Sequence, residues 1–159
     1  MNEANTKYLL DKFKFFGYEE WKDDKKALHY TLMPFGLEVL DGWFELIKQL
    51  CLHIENVFHN ARENAKYQDP PTPYIGNEHF RVIQVKEKYG SLRFYDTGAP
   101  GREGERIDGA ISLATQMSHH ICEVCGNKGQ TYRAYMWYLT RCEECFKKEY
   151  PDLDPKDCL

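Results

Sequence analysis

The chain has 159 residues, a formal net charge of −4, and 42% apolar and 14% aromatic content. That length holds one domain, or one domain with a small appended module, and the composition excludes a wholly disordered chain. No apolar run reaches the roughly 20 residues that span a bilayer, and the acidic balance argues against a surface that coats duplex nucleic acid.

Met1-Asn2-Glu3-Ala4-Asn5 lacks a basic region followed by an apolar stretch, so the expected location is the cytoplasm, where cysteines stay reduced. A short helix is expected from about Asn5 to Phe16, with Asn5 or Thr6 as cap, Gly17 as terminator, and Tyr8, Leu9, Phe13 and Phe16 on one side. Tyr18 to Phe35 has no clean period and reads as irregular, with a short strand at Ala27 to Leu32. Asp41 reads as the N-cap of the strongest helix, in which Trp43, Phe44, Ile47, Leu50, Cys51, Ile54, Val57 and Phe58 recur at three- and four-residue steps. That helix ends near Ala65, and Asp69-Pro70-Pro71-Thr72-Pro73 is a stiff connector that cannot continue it.

Phe80 to Lys86 and Leu92 to Tyr95 are strand-like, and Tyr89-Gly90 can turn the chain between them. A two-residue turn sets Lys88 against Ser91, Glu87 against Leu92, Lys86 against Arg93, Val85 against Phe94, and Gln84 against Tyr95. Ile83, Val85, Leu92 and Phe94 then share an apolar face, with Gln84, Lys86, Lys88, Arg93 and Tyr95 on the other. Lys86 and Arg93 directly opposite each other are destabilising unless solvent or a negative group intervenes. Either a carboxylate from the long helix, such as Glu45 or Glu55, or an anionic ligand meets that requirement. From Arg81 to Arg106 there are six Lys/Arg against four Asp/Glu, with fifteen against twenty-one elsewhere, so the middle of the chain is a positive island. Gly98, Gly101 and Gly104 punctuate a loop into a helix from Glu105 to His120, and Arg102 and Arg106 carry the island toward it. The glycine spacing matches neither a P-loop nor a dinucleotide fingerprint.

Cys122-Glu123-Val124-Cys125 is followed, after sixteen intervening residues, by Cys142-Glu143-Glu144-Cys145. Two C-x-x-C pairs at this separation match a zinc ribbon, because each short loop can curl two thiolates onto one tetrahedral ion while the intervening segment forms a hairpin. Cys122, Cys125, Cys142 and Cys145 are therefore expected to hold a structural zinc. Four cysteines close the coordination sphere, which leaves no role for His119 or His120. Tyr132, Tyr135, Trp137 and Tyr138 either line the hairpin's small core or, with Arg133 and Arg141, stack on bases. Cys51 reads as a buried apolar residue and Cys158 as a thiol of a frayed acidic tail.

The expected fold class is α+β: an antiparallel β-hairpin or small sheet packed on a long amphipathic helix, with a C-terminal zinc-ribbon-like module built on four cysteines. The expected division is 1–120 for the α+β domain, 121–150 for the metal module and 151–159 for the tail. No nucleophile elbow, Walker loop or recognisable carboxylate pair supports an enzyme. His53-Ile54-Glu55 with a later C-x-x-C fails as a zinc deaminase, since no proline precedes Cys122 and the second thiolate pair would be idle.

Three blocks together carry a likeness: Gly42-Trp43-Phe44 with Leu50-Cys51, then Gln84 to Tyr95, then Cys122-Glu123-Val124-Cys125-Gly126 followed by Cys142. Their order resembles a family of small proteins encoded by phages, prophages and some bacteria, typified by a QVKEKFGxLRFY block ahead of a C-x-x-C-G element. Tyr89 stands where many relatives have phenylalanine. The resemblance implies a phage setting, in a bacterial cytoplasm, and no particular chemistry. In that setting the residues suit a non-enzymatic binder of an anionic, nucleotide-like molecule, such as a host defence signal removed by sequestration. Lys86, Lys88 and Arg93, extended by Arg102 and Arg106, would take phosphate charge while Gln84 and Tyr95 read base or ribose. A nucleic-acid- or host-protein-binding regulator that uses the zinc ribbon is the alternative, and a structural interaction protein the third; a homo-oligomer is compatible with each.

Overall fold

The structure, a computed structural model, describes residues 1–67 and 78–159, so the expected proline-rich connector at 69–73 lies outside the described residues. Helix α1 (Glu3–Lys12) starts at Asn2, whose side chain accepts the Asn5 N–H at 2.8 Å and satisfies one orphan donor of the first turn. The cap is thus Asn2, not Asn5 or Thr6, and the helix stops at Lys12. A 3-10 turn (Lys14–Phe16) follows, closed by Gly17 in the left-handed region at φ +65°. The short α2 (Tyr18–Trp21) leads into two further 3-10 turns, Ala27–His29 and Met33–Phe35, which replace the strand expected at Ala27–Leu32. Only single backbone bonds link this segment to a sheet edge, such as Leu32 N–H to the Ile83 carbonyl at 2.9 Å.

Helix α3 (Phe44–Ala65) is the scaffold, and its stripe of Ile47, Leu50, Cys51, Ile54, Val57 and Phe58 is buried at the three- and four-residue spacing of the sequence. Asp41 lies in a 3-10 turn (Asp41–Trp43) ahead of it and does not cap it. Its carboxylate instead accepts the Asn2 N–H at 2.9 Å and the Asn5 amide at 3.0 Å, tying the start of α1 to the start of α3. Trp43 is fully buried, and its indole N–H donates to the Ile121 carbonyl at 2.8 Å, across to the metal module.

Strands β1 (Val82–Lys88) and β2 (Ser91–Asp96) form the antiparallel hairpin in the register expected for a two-residue turn, Gln84 opposite Tyr95 through Lys88 opposite Ser91. Tyr89 and Gly90 both have positive φ, +55° and +76°, the mirror-image turn that suits the twist of a hairpin. One detail of the apolar face differs. The register shifts between Val82 and Gln84, so Ile83 bulges out of the ladder and Val82 takes its place in the core beside Val85, Leu92 and Phe94. The Ile83 carbonyl is satisfied by Leu32 N–H and by the Thr31 hydroxyl at 3.1 Å, contacts that no local pattern announces.

Both edges of this hairpin are covered, as an isolated two-stranded sheet requires. Glu38 bonds the outer edge of β1 through its N–H to Val85 O and its carbonyl to Glu87 N–H, each at 3.0 Å. On β2, Leu92 N–H donates to the Ser118 hydroxyl at 2.9 Å and Leu92 O accepts from Thr115 at 3.2 Å. Those hydroxyls belong to α4 (Gly101–Ser118), which begins four residues earlier than the expected Glu105 and buries Ile107 and Ala114 against the core.

The C-terminal part folds as a knuckle, a second hairpin and a helix: β3 (Gln130–Ala134), β4 (Trp137–Arg141) and α5 (Glu143–Glu149). Tyr132, Ala134, Leu139, Phe146 and Cys158 make a separate small core. Cys158 and Pro155 are buried there, so the last residues pack as a 3-10 turn (Pro155–Cys158) instead of fraying. The architecture is α+β, with small antiparallel sheets, a long helix and four cysteines clustered near the C-terminus in a zinc-ribbon-like arrangement. No helix among the described residues is long and apolar enough to cross a membrane.

Candidate metal centre and cationic face

The knuckle forms because Cys122 begins a tight turn: Gly126 N–H reaches Cys122 O at 2.9 Å and Cys122 N–H reaches Asn127 O at 2.7 Å, with Gly126 left-handed at φ +79°. The second pair enters differently, at the start of α5, where Cys142 is the N-cap and its sulfur accepts Cys145 N–H at 3.4 Å. The ligand atoms of Cys122, Cys125, Cys142 and Cys145 all lie within 4.8 Å of one another. A tetrahedral zinc with Zn–S bonds near 2.3 Å requires sulfurs about 3.8 Å apart; Cys125 Sγ and Cys142 Sγ are 3.7 Å apart. The cluster can therefore hold a metal ion, and an all-thiolate set of this size suits zinc. His119 is not part of it, since its Nδ1 lies 3.0 Å from the Thr131 hydroxyl.

Burial is the first cause that raises the Cys145 thiol, and the neighbouring sulfurs of Cys142, Cys125 and Cys122 raise it further. Cys125 is also raised, by burial first. At Cys122 burial opposes ionisation, but the backbone hydrogen bonds of Cys125, Cys142 and Val124 outweigh it and hold the thiol below its ordinary value. Four sulfurs this close cannot all carry charge without a cation between them, so metal binding must expel protons and weaken as pH falls.

The knuckle is locked to the main body by groups that look solvent-exposed in the sequence. A Cβ on Gly42 would lie 2.1 Å from Cys122 O and 2.5 Å from Gly126 N, so only glycine fits there, and Gly42 N–H donates to Glu123 O at 2.7 Å. Glu123, inside the first C-x-x-C, is buried. One carboxylate oxygen accepts Leu40 N–H at 3.0 Å and the other accepts Arg141 at 3.0 Å, while Arg141 also reaches Glu149 at 2.8 Å. Burial opposes the charge on Arg141, and its bonds to Glu149 and Glu123 overcome that and hold its pKa up. Arg141 is thus an internal strut and does not stack on bases. Tyr132 is in the small core, but Tyr135, Met136, Trp137 and Tyr138 are exposed at the β3–β4 turn.

The turn of the first hairpin rests on the second. Thr140 O–H donates to Gly90 O at 2.6 Å and lies 3.0 Å from the Thr131 hydroxyl, which in turn meets His119 Nδ1. Since Thr140 commits its proton to Gly90, Thr131 must donate to Thr140, and His119 must carry its proton on Nδ1. Burial first, then the charges of Arg93 and His120, hold His119 below its ordinary pKa. A Cβ on Gly90 would lie 2.8 Å from the Thr131 methyl.

Of the seven residues expected to bind an anion, the register places Gln84, Lys86, Lys88, Arg93 and Tyr95 on one face. Gln84 is buried there and donates to Glu38 at 2.7 Å, so its amide already has a partner. Lys86 lies 5.9 Å from the Tyr95 ring centroid, and Arg93 is steadied by Ser91 Oγ at 2.6 Å and Leu92 O at 3.1 Å. Among the described residues neither Lys86 nor Arg93 forms an ion pair, whereas Arg81 pairs with Glu20 and Arg141 with Glu123 and Glu149. Glu45 is bonded to Lys48 and Gln49 on its own helix, and Glu55 lines a cleft with Lys14 and Arg62. The acid that does approach this face is Glu38, which the sequence reading missed because its place depends on a contact 46 residues away. Arg106 does not join the hairpin face: it lines a groove of about 680 Å³ between α3 and α4, with Leu46, Leu50, Leu113 and Met117. Arg102 is exposed in the first turn of α4. Compared with known proteins, the chain matches no family model, no curated protein and no solved structure.

Proposed function

We propose that this is a non-enzymatic, zinc-containing binding protein that holds a phosphate-bearing, nucleotide-like ligand on the outer face of the β1–β2 hairpin. The observation that carries the reading is the direct opposition of Lys86 and Arg93, with no ion-pair partner for either among the described residues. Like charges at facing positions repel, and a phosphate between them reverses the sign of that interaction. Tyr95 offers a ring beside Lys86, and Lys88 extends the charge toward the turn. The zinc holds the C-terminal module in place and takes no part in binding. Under the resemblance to phage and prophage proteins, the ligand would be a host molecule removed by sequestration in the cytoplasm of a bacterium. A second reading, a regulator that uses the metal module's surface, draws on the exposed Tyr135, Met136, Trp137 and Tyr138.

Thermal-shift titration with linear and cyclic nucleotides tests the first reading. A ligand that binds only the folded state adds about 2.7 kcal/mol at a hundred times its Kd, and Lys86→Ala combined with Arg93→Lys should abolish the shift. Retention of the full shift in that double variant would sink the hairpin site.

A further inference from the structure

The hairpin face does not end at its turn. Three exposed tyrosines each have a cation near the ring: Lys86 at 5.9 Å from the Tyr95 centroid, Lys88 at 5.4 Å from Tyr89, and Arg133 at 6.0 Å from Tyr138. Their exposures are 42%, 66% and 45%, so each ring is open to a partner. The first two pairs belong to the β1–β2 hairpin and the third to the β3–β4 hairpin. Gly90 joins them. Thr131 and Thr140, which contact Gly90, face each other across β3 and β4, and the next pair on that same face, two residues on, is Arg133 and Tyr138. His119, which feels the charge of Arg93 and bonds Thr131, spans the same gap.

We infer that the ligand of this surface is a short single-stranded nucleic acid, which runs from the Lys86–Arg93 pair over the Tyr89–Gly90 turn onto Arg133 and Tyr138. The inference rests on the reading of the hairpin face as an anion site and enlarges it. From Tyr95 to Ser91 the strand covers about 13 Å at roughly 3.3 Å per residue, and the Tyr89–Gly90 turn and the second hairpin lie beyond that, so the strip as a whole is longer than a single nucleotide. Alternating rings and cations fit a strand whose bases are unstacked: each base has a face for a tyrosine, and each intervening phosphate meets a lysine or arginine. A duplex keeps its base faces hidden and has no use for three separate rings. The arrangement is also compatible with a net charge of −4, since a narrow strip draws on stacking and a few phosphates instead of a broad basic surface.

The test uses the zinc-loaded 159-residue chain, a fluorescent oligothymidylate of about twelve nucleotides, a duplex of the same length and ATP. The single strand should bind at least about tenfold more tightly than ATP or the duplex. With three or four phosphates neutralised, the slope of log affinity against log salt should be about −2 to −3. Tyr138→Ala and Arg133→Ala should each weaken oligonucleotide binding about tenfold while leaving ATP binding unchanged, and Tyr138→Phe, which keeps the ring, should bind like the parent. One zinc per chain in each variant shows that the module is folded. Oligonucleotide affinity no greater than that for ATP, or unchanged by Tyr138→Ala, overturns the strip and leaves the hairpin site standing. Equal affinity for the duplex overturns the single-strand assignment. Absence of binding to every probe overturns both readings.

Discussion

The two hairpins are alike in loop length and are held by different forces. Each has a two-residue turn with tyrosine in the left-handed region at φ +55°, Tyr89 in the first and Tyr135 in the second. Behind β1–β2 lies the main core, with Val82, Val85, Leu92 and Phe94 packed among residues of α1, α3 and α4. Behind β3–β4 lies a small cluster, Tyr132, Ala134, Leu139, Phe146 and Cys158 with the partly buried Tyr150 and Leu153. A cluster that small cannot offset the chain entropy of some forty residues by hydrophobic burial. A metal ion on the four clustered cysteines would supply the difference.

Metal removal should therefore separate the hairpins most sharply. The apparent free energy of structural zinc is on the order of 10 kcal/mol, comparable to the whole stability of a domain. Treatment with a strong chelator should strip hydrogen-exchange protection from Gln130–Arg141 and leave it in Val82–Asp96. Equal loss in both would mean that the two hairpins form one cooperative unit and that the distinction drawn between them fails.

The next largest effect is expected at Arg141. Removing one partner of a buried ion pair leaves an uncompensated charge, at about 3–5 kcal/mol, so Arg141→Ala should lower the denaturant midpoint strongly by stranding Glu123. Lys86→Ala on the first hairpin, at a half-buried cation without an ion pair among the described residues, should change stability by no more than about 0.5 kcal/mol. A small effect of Arg141→Ala would mean that water reaches Glu123.

Arg141 also marks the limit of what the chain reveals in one dimension. The register of β1–β2 was legible because alternation and the Tyr89-Gly90 turn are local, and the α3 stripe was legible for the same reason. The four cysteines were legible because two short spacings suffice to define the cluster. The bulge at Ile83 was not, since it answers to Thr31 and Leu32, about fifty residues earlier. Arg141 beside aromatic residues suggested an exposed stacking surface, yet it is buried because Glu123 and Glu149 come from two other elements. Asp41 looked like a cap for α3, and the true partners of its carboxylate lie in the first five residues. Each of these three misses turns on a polar contact to another element, the kind that periodicity cannot register.

A smaller effect tests the strain at the tyrosine that opens each turn. A left-handed residue other than glycine costs about 1–2 kcal/mol, partly offset by the extra chain entropy of glycine. Tyr135→Gly should thus stabilise by about 0.5–1 kcal/mol, read as a rise in denaturant midpoint of the zinc-loaded protein. Tyr89→Gly should gain less, because it also removes the ring beside Lys88. Destabilisation by Tyr135→Gly would show that the contact between Tyr135 and Tyr150, at 6.3 Å, outweighs the backbone strain.

The smallest effect is a pH dependence at the junction of the hairpins. Glu87 is half-buried and its carboxylate accepts Gly90 N–H at 2.5 Å. Burial raises its pKa above the ordinary 4.5, the charge of Glu123 adds to this, and Arg141 and Arg93 oppose it. A carboxyl raised in the folded state binds its proton more tightly there than in the unfolded chain. Its contribution is therefore neutral below the ordinary value and becomes unfavourable as pH rises from 4.5 through the raised value. Glu87→Gln should flatten that decline in urea midpoints measured between acid and neutral pH, and a curve parallel to the parent's would remove Glu87 as its source. The same comparison in an Arg141→Ala background reports on the joint between the two hairpins. With the opposing cation gone, the raised range should extend to higher pH and the benefit of Glu87→Gln should grow, which requires the second hairpin to sit against the first in solution as it does here.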